Sequence, residues 1–227
     1  MRILIINPNS DPDMTAAIQA AAEGFAHGEF EILTEATSGA PRFIESYQDK
    51  LASAPGMMEL VRANEDACDA FVVACHSDPN LDALKEMTPR PVVGIGEASM
   101  KLATMLGHSF SVVTTHRHSI PAKLALARAY HLQDQLVSVR APERGEEGGR
   151  DEFELFRELA RRAIEEDLAE VIVLGCAGLA GLDARLGADL GVPVLDGIKC
   201  ALVVATGLVR CGLSTSRALG YNPEYGS

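Results

Sequence analysis

Short apolar runs alternate with longer amphipathic segments along the whole sequence. The runs are rich in Val and Ile, whereas the segments between them repeat apolar residues at helical spacing. This alternation is typical of βα units, in which helices bury both faces of a parallel sheet. The sequence therefore predicts an α/β fold of parallel strands flanked by helices.

The predicted elements follow from the position of each run. Strands are predicted at residues 2–7, 29–36, 70–75, 91–96, 109–115, 135–141, 170–176 and 192–197. Helices are predicted at residues 13–26, 56–67, 79–87, 97–106, 119–130, 150–167, 179–190 and 197–211. Segment 37–56 is punctuated by Gly, Pro and Ser and is long for a βα connection, so it is a candidate lid. Segment 141–152 is charged and Gly-rich, which indicates a solvated loop.

Composition excludes several classes of partner. The 227 residues carry a net charge of -12, which repels phosphate backbones, so no nucleic-acid partner is expected. No apolar stretch approaches the length of a membrane span, and "MRILIINPNS" lacks the features of a signal peptide. We therefore expect a cytoplasmic protein that acts on a small molecule.

The cysteines point to free thiols. There are five, Cys68, Cys75, Cys176, Cys200 and Cys211, without a CxxC pair or a metal-ligand spacing. We expect reduced thiols and no metal site. Cys68 falls at the end of one predicted helix and Cys200 and Cys211 fall on another, and all three are expected to serve packing.

Spacing indicates an internal duplication. Cys75 in "FVVACHSDPN" and Cys176 in "VIVLGCAGLAG" are 101 positions apart, and each ends an apolar run. Pro91 and Pro193, which open the following runs, are 102 positions apart. The order of elements thus runs through the chain twice, which predicts one half at 1–96 with the C-terminal helix at 197–227, and another at 97–196.

The duplication assigns chemistry to the two thiols. In parallel sheets, ligands bind beyond the carboxyl ends of strands, where both Cys75 and Cys176 are expected. If the two halves face each other, the thiols meet across one cleft, where one removes a proton from a carbon and the other delivers a proton to its opposite face. A following helix N-terminus is expected to lower the thiol pKa from its usual value of about 8.5.

The motifs "INPNS", "ACHSDPNL", "VLGCAGLAG" and "VPVLDG" together resemble the aspartate/glutamate/hydantoin racemase superfamily, most of all its hydantoin and allantoin racemase branch. The resemblance covers essentially the whole chain. It implies two flavodoxin-like halves with the active site between them, no cofactor, a homo-oligomer, and Cys75 and Cys176 as the acid/base pair. Substrate contacts in that family come from strand ends, which correspond here to Asn9, Ser10, Ser77, Thr114, Thr115, Gly175, Ala177 and Gly178.

Several of these residues have a second interpretation. "NPNS" is also a turn and helix cap, so Asn9 and Ser10 are expected to cap, to bind substrate, or to do both. His76 departs from the family pattern, and it is a general-acid helper, a substrate donor or a solvent-facing loop residue. Asp78 is expected to cap the next helix and, as an anion, to oppose ionisation of Cys75. Asp196 is expected to orient the loop before the last helix.

Charge favours a neutral substrate. A dicarboxylic amino acid needs basic anchors, yet Arg117 is the one permanent cation in the four strand-end loops that carry these motifs. A hydantoin or a ureide such as allantoin has an acidified carbon beside a carbonyl, and its amide groups pair with backbone, Asn and Thr. The alternatives are an aspartate or glutamate racemase, a maleate-type cis/trans isomerase, an arylmalonate-type decarboxylase, and a non-catalytic small-molecule binding protein.

Overall fold

The structure is a computed structural model that describes residues 1–143, 151–222 and 224. The chain divides into two compact units, one from residues 1–95 and 201–227 and the other from residues 96–200. The sequence predicts domains at 1–96 with 197–227 and at 97–196, and these domain boundaries stay a prediction. Within the described ranges, no helix has the length and apolarity needed to cross a membrane.

The first unit is a parallel sheet with helices packed on it. Its strands are β1 (Arg2–Asn7), β2 (Glu31–Ala36), β3 (Ala70–Val73) and β4 (Val92–Gly94). Its helices are α1 (Pro12–Ala26), α2 (Tyr47–Asn64) and α3 (Leu81–Met87). The strand order is β2-β1-β3-β4, with every pair parallel. All four residues of β3 are buried, as expected for a strand covered on both faces.

The second unit repeats this arrangement. Its strands are β5 (Phe110–Val113), β6 (Leu136–Arg140), β7 (Val171–Leu174) and β8 (Val194–Leu195), in the order β6-β5-β7-β8. Its helices are α5 (Ile120–Ala129), α6 (Glu152–Asp167) and α7 (Asp183–Leu190), with short 3-10 helices at Arg117–Ser119 and Ala177–Leu179. Two more helices, α4 (Ile95–Leu106) and α8 (Gly197–Arg210), each begin in one unit and continue into the other.

The predicted fold class is confirmed: each unit holds a four-stranded parallel sheet flanked by helices, and the two strand orders correspond one to one. β3 and β7 occupy the same place in the order and begin 101 positions apart, like the two cysteines. Cys75 therefore follows the end of β3 by two residues, and Cys176 follows the end of β7 by two residues.

One predicted segment differs from the structure. Residues 37–56 were expected to form a loop, but α2 begins at Tyr47 and includes Pro55. Ser46 and Asp49 form a reciprocal capping box that starts this helix, and the Ser, Pro and Gly residues concealed it. Residues 37–46, the part of this segment that precedes α2, stay a candidate lid. The charged loop at 141–152 falls mainly on residues 144–150, which lie outside the described residues.

Two glycines inside helices test the packing of the first unit. A methyl group on Gly56 of α2 would lie 2.4 Å from the Ser38 carbonyl oxygen, whereas one on Gly24 of α1 would meet nothing within 4 Å. We expect Gly56→Ala to lower the free energy of unfolding by about 1–3 kcal/mol because the backbone must shift. Gly24→Ala is expected to raise it by about 0.5–1 kcal/mol through helix propensity.

Urea unfolding followed by circular dichroism measures both variants. Equal effects of the two substitutions would contradict the close approach of α2 to the segment that follows β2.

Candidate active site

Cys75 is half-buried in a tight turn after β3. Its sulfur lies 3.3 Å from the Ser77 hydroxyl, and either group can donate the hydrogen bond. The Asp78 N–H donates to the Cys75 carbonyl over 2.9 Å, and the Asp78 backbone has a positive φ of 42°. The turn therefore holds a thiol and a hydroxyl in contact, and Ser77 is placed to stabilise a thiolate.

The first cysteine loop is held against the end of the next strand. Gly94 at the end of β4 pairs with Val73, and a methyl group on Gly94 would lie 2.3 Å from an Asp78 carboxylate oxygen. Asp78 was expected to cap the following helix, but that helix begins at Leu81, and its N-cap residue is Asn80. The buried Asp78 carboxylate instead packs on Gly94, where only glycine leaves room for it.

His76 is buried, with 1% of its surface exposed. Its interpretation as a solvent-facing loop residue is therefore wrong. The turn thus buries the residue after Cys75, while Cys75 itself stays partly exposed.

The "NPNS" segment forms a turn after β1. The Asn9 side-chain oxygen accepts hydrogen bonds from the Asn7 amide at 2.8 Å and from the Asp11 N–H at 2.9 Å. Asp11 is the N-cap of α1, so neither Asn9 nor Ser10 has that role. Ser10 is exposed, and its N–H donates to the Pro41 carbonyl. The Asn9 oxygen is thus engaged within the turn, whereas the Ser10 side chain is accessible to a ligand.

Cys176 is half-buried at the corresponding position of the second unit. The Gly175 N–H donates to the Val113 carbonyl at 2.7 Å, which continues the β5–β7 pairing up to the thiol. A methyl group on Gly175 would lie 3.0 Å from Cβ of Thr114, so this glycine permits the close approach of β5. Ala177 is buried, and Gly178 is exposed. A methyl group on Gly178 would lie 3.6 Å from the Cys176 sulfur, so this glycine is beside the thiol.

The structure brings Thr114 and Gly175 into contact and leaves Thr115 partly exposed. Thr114 is buried, and its hydroxyl lies 3.2 Å from the Ser119 hydroxyl, which donates to the His116 carbonyl. These hydroxyls join the end of β5 to the 3-10 helix before α5. Of the two predicted threonines, Thr115 therefore has the more accessible side chain.

Asp196 ties the second cysteine loop to the start of α8. Its carboxylate accepts hydrogen bonds from the N–H groups of Gly181 at 3.0 Å and Ile198 at 2.8 Å. Burial raises the pKa of Asp196, and the two backbone N–H donors oppose that rise. These hydrogen bonds support the orienting role expected for Asp196. In both units, therefore, a buried carboxylate lies between the cysteine loop and the end of the next strand.

Sequence reasoning missed Lys123, which is 5% exposed on the inner face of α5. Its ammonium group donates a 2.8 Å hydrogen bond to the carbonyl of Gly175, the residue before Cys176. The signal was its spacing, since Lys123 lies one turn before the buried Ala127 on the same helix face. A lysine on the apolar face of a helix is an exception that requires a partner.

The α-helix N-termini lie farther from the thiols than expected. α3 begins six residues after Cys75, and α7 begins seven residues after Cys176. Helix-dipole effects fall off within the first turn, so the lowering of the thiol pKa by a following α-helix stays a prediction. Cys176 is instead the N-cap residue of the 3-10 helix Ala177–Leu179.

The other cysteines have different surroundings. Burial raises the pKa of Cys200 to about 12, and it also raises the pKa of Cys68. Cys211 is exposed near the end of α8. Within the described part of the chain, no group of three or more His, Cys, Asp or Glu side chains is placed to hold a metal ion.

Comparison with known proteins adds the family. The family model described as Asp/Glu/hydantoin racemase matches residues 3–205. The chain belongs to this family. The resemblance recognised in its sequence motifs is thereby confirmed.

Individual relatives agree over nearly the whole chain. A hydantoin racemase from Pseudomonas sp. (strain NS671) is 40% identical over 99% of this chain and 92% of its own length. Another from Paenarthrobacter aurescens is 38% identical over 97% of this chain and 96% of its own length. The solved structure of allantoin racemase from Klebsiella pneumoniae has a TM-score of 0.91 and 36% identity, over 99% of this chain and 94% of that one.

The surroundings of the thiols predict an order of alkylation by iodoacetamide. We expect Cys200 and Cys68 to react slowly in the native protein at pH 8, because a buried thiol with a raised pKa supplies little thiolate. Cys211 is the exposed control. Mass spectrometry of peptides taken over time measures each rate, and labelling of Cys200 as fast as that of Cys211 would contradict this environment.

Asp196 predicts a pH dependence of stability. Its pKa is higher in the folded protein than in the unfolded chain, so the folded state retains this proton more strongly. Its stabilising contribution is full below the unfolded pKa of about 4 and is lost as the pH rises through the folded pKa. We expect the free energy of unfolding of the wild type, relative to Asp196→Asn, to fall over that range.

Urea unfolding of both proteins across the pH range measures this difference. A difference that is constant or that increases with pH would contradict the buried environment of Asp196.

Proposed function

We propose that the protein racemises 5-substituted hydantoins or a related ureide such as allantoin, by proton transfer through Cys75 and Cys176 without a cofactor. Membership of the racemase family and the hydantoin racemase relative at 40% identity support an isomerase of this kind. The observation that carries the mechanism is the equivalent position of the two thiols, each two residues beyond corresponding strands of identically ordered sheets.

The chemistry needs two groups of opposite protonation state. The hydrogen on the ring carbon is acidified by the neighbouring carbonyl. A thiolate takes that proton, so that the C–H bond breaks, an S–H bond forms and an enolate results. The second thiol then gives its proton to the opposite face of the carbon and becomes a thiolate. The two cysteines have exchanged roles at the end, which suits them to catalyse the reverse direction.

Local contacts support the remaining roles. Ser77 is within hydrogen-bond distance of the Cys75 sulfur, and the loops offer Ser10, Thr115 and backbone groups near Gly178 to a polar ring. We assign substrate binding to these groups and to the other predicted residues: Asn9, His76, Thr114, Gly175 and Ala177. Amide donors and acceptors of a cyclic ureide match such neutral partners.

Charge supports a neutral substrate over a dicarboxylic one. Arg117, the permanent cation of the strand-end loops, forms an ion pair with Glu143. The Lys123 ammonium is engaged by the Gly175 carbonyl. A second substrate carboxylate would have to compete for one of these groups, whereas a hydantoin or allantoin ring requires neither.

Two wider features complete the proposal. The mechanism requires reduced thiols, so we place the enzyme in the reducing cytoplasm, and the family resemblance supports a homo-oligomer. The net charge of -12 supports a small-molecule substrate and no nucleic-acid partner. Light scattering after size-exclusion chromatography measures the number of subunits.

Serine substitutions test the assignment. We expect Cys75→Ser and Cys176→Ser each to lower the rate of racemisation by at least about 10²-fold, because a serine hydroxyl is a far weaker base than a thiolate. Cys211→Ser, at the exposed thiol, is expected to keep the wild-type rate. Polarimetry follows D- and L-5-substituted hydantoins, allantoin, aspartate and glutamate with each protein, and circular dichroism confirms folding.

The panel also includes an arylmalonate and maleate, and each of its outcomes is informative. Full racemisation by either single variant would contradict the two-base mechanism. Activity on aspartate or glutamate alone would move the assignment to an amino-acid racemase, and release of carbon dioxide from an arylmalonate would indicate a decarboxylase. A covalent adduct on one thiol with maleate would indicate a cis/trans isomerase, and ligand binding without proton exchange would indicate a binding protein.

A further inference from the structure

Lys123 places a buried cationic group one peptide unit from Cys176. Its ammonium nitrogen lies 2.8 Å from the Gly175 carbonyl oxygen, and that carbonyl carbon is bonded to the Cys176 nitrogen. Standard bond lengths therefore keep the ammonium within about 8 Å of the sulfur. At that range inside a protein, opposite charges interact far more strongly than they do in water.

A buried ammonium favours an anion nearby. Burial of a lysine disfavours its charged form, and a carbonyl oxygen compensates only in part for the lost hydration. A thiolate at Cys176 places a negative charge within about 8 Å of this ammonium group. Lys123 and Cys176 then titrate as a pair, in which each charge stabilises the other.

Charged residues that follow β5, β7 and β8 have partners of their own. Asp196 accepts from two backbone N–H groups, and the Asp183 carboxylate binds Lys199 at 2.7 Å. Arg117 pairs with Glu143. His116, the N-cap residue of the 3-10 helix, and His118 within that helix are exposed, and their rings stack. Among these groups Lys123 combines deep burial with a direct hydrogen bond to the cysteine strand.

Cys75 has the opposite local charge. The buried Asp78 donates its backbone N–H to the Cys75 carbonyl, so its carboxylate belongs to the same tight turn as the thiol. A nearby carboxylate disfavours a second anion. The two thiols occupy equivalent positions in the fold, yet the buried charged residue of the Cys75 turn is Asp78, whereas the one hydrogen-bonded to the residue before Cys176 is Lys123.

We propose that Lys123 is a positioning residue that makes Cys176 the resting thiolate and leaves Cys75 as the resting thiol. The inference rests on the proposed function for its catalytic meaning: the free enzyme is then ready to remove a proton from the enantiomer that presents its hydrogen to Cys176. The other enantiomer requires the opposite protonation state. The thiol proton of Cys176 passes to solvent when the pair forms.

Alkylation across a range of pH tests this without substrate. Iodoacetamide labelling of Cys176 and Cys75, quantified from their peptides by mass spectrometry, gives an apparent pKa for each thiol. In the wild type we expect Cys176 to titrate at a lower pH than Cys75. In Lys123→Gln, which keeps a hydrogen-bond donor but not the charge, we expect the apparent pKa of Cys176 to rise by about one unit or more.

Lys123→Arg is the matched control, because it retains the positive charge and should keep Cys176 close to the wild-type titration. Cys75 should titrate alike in all three proteins. An unchanged Cys176 titration in a folded Lys123→Gln variant would overturn the proposal. If Lys123→Gln does not fold, the titration of the wild type is the test. A lower apparent pKa at Cys75 than at Cys176 would then overturn the proposal.

This measurement is independent of turnover. A positive titration result with no racemisation of any hydantoin or ureide would contradict the proposed function alone. Racemisation that is lost in both serine variants, together with a Cys176 titration insensitive to Lys123, would contradict this inference alone.

Discussion

The parallel pairing of β3 with β1, and of β7 with β5, is the constraint on which the rest of the structure depends. Both cysteine strands are fully buried, so their carboxyl ends are the first points at which the chain can turn toward a ligand. Pairing continues up to the residue before each thiol, through Ala74 to Ile6 and through Gly175 to Val113. The positions of Cys75 and Cys176 are thus set by the sheets.

Each loop beyond these strands is then fixed by a buried carboxylate. Asp78 packs on Gly94 in the first unit, and Asp196 binds the Gly181 N–H in the second. In both units the carboxylate connects the cysteine loop to the end of the next strand. In the first unit this carboxylate, Asp78, belongs to the cysteine loop, whereas in the second unit Asp196 belongs to the segment between β8 and α8. Shared topology therefore does not impose equal electrostatics, and Lys123 increases the difference between the two thiols.

Much of the fold was predictable because buried strands leave a strong sequence signal. The apolar runs located all eight strands, and the spacing of 101 between Cys75 and Cys176 reflected the repeated strand order. Most strands were predicted to be longer than they are, since small and apolar residues continue into the turns. α2 was missed at its start because Pro55 and Gly56 are typical of loops, whereas the Ser46–Asp49 capping box and packing on Ser38 make a helix there.

The candidate site was predictable in position but not in detail. The thiols ended strongly apolar strands, so their location followed from pattern alone. The use of the Asn9 oxygen within its own turn, the burial of His76 and the hydrogen bond of Lys123 to Gly175 depend on tertiary contacts. Nothing local to the "AKLAL" segment distinguishes an inward lysine from a solvated one except its spacing from Ala127.

The central claim is that Cys75 and Cys176 act on opposite faces of one carbon. Its most direct test is hydrogen exchange in heavy water, with each pure enantiomer of a hydantoin supplied separately to Cys75→Ser and to Cys176→Ser, corrected for exchange without enzyme. The account predicts that each variant introduces deuterium into one enantiomer only, without forming its mirror image, and that the two variants select opposite enantiomers. Exchange of the same enantiomer by both variants, or inversion by either, would contradict it.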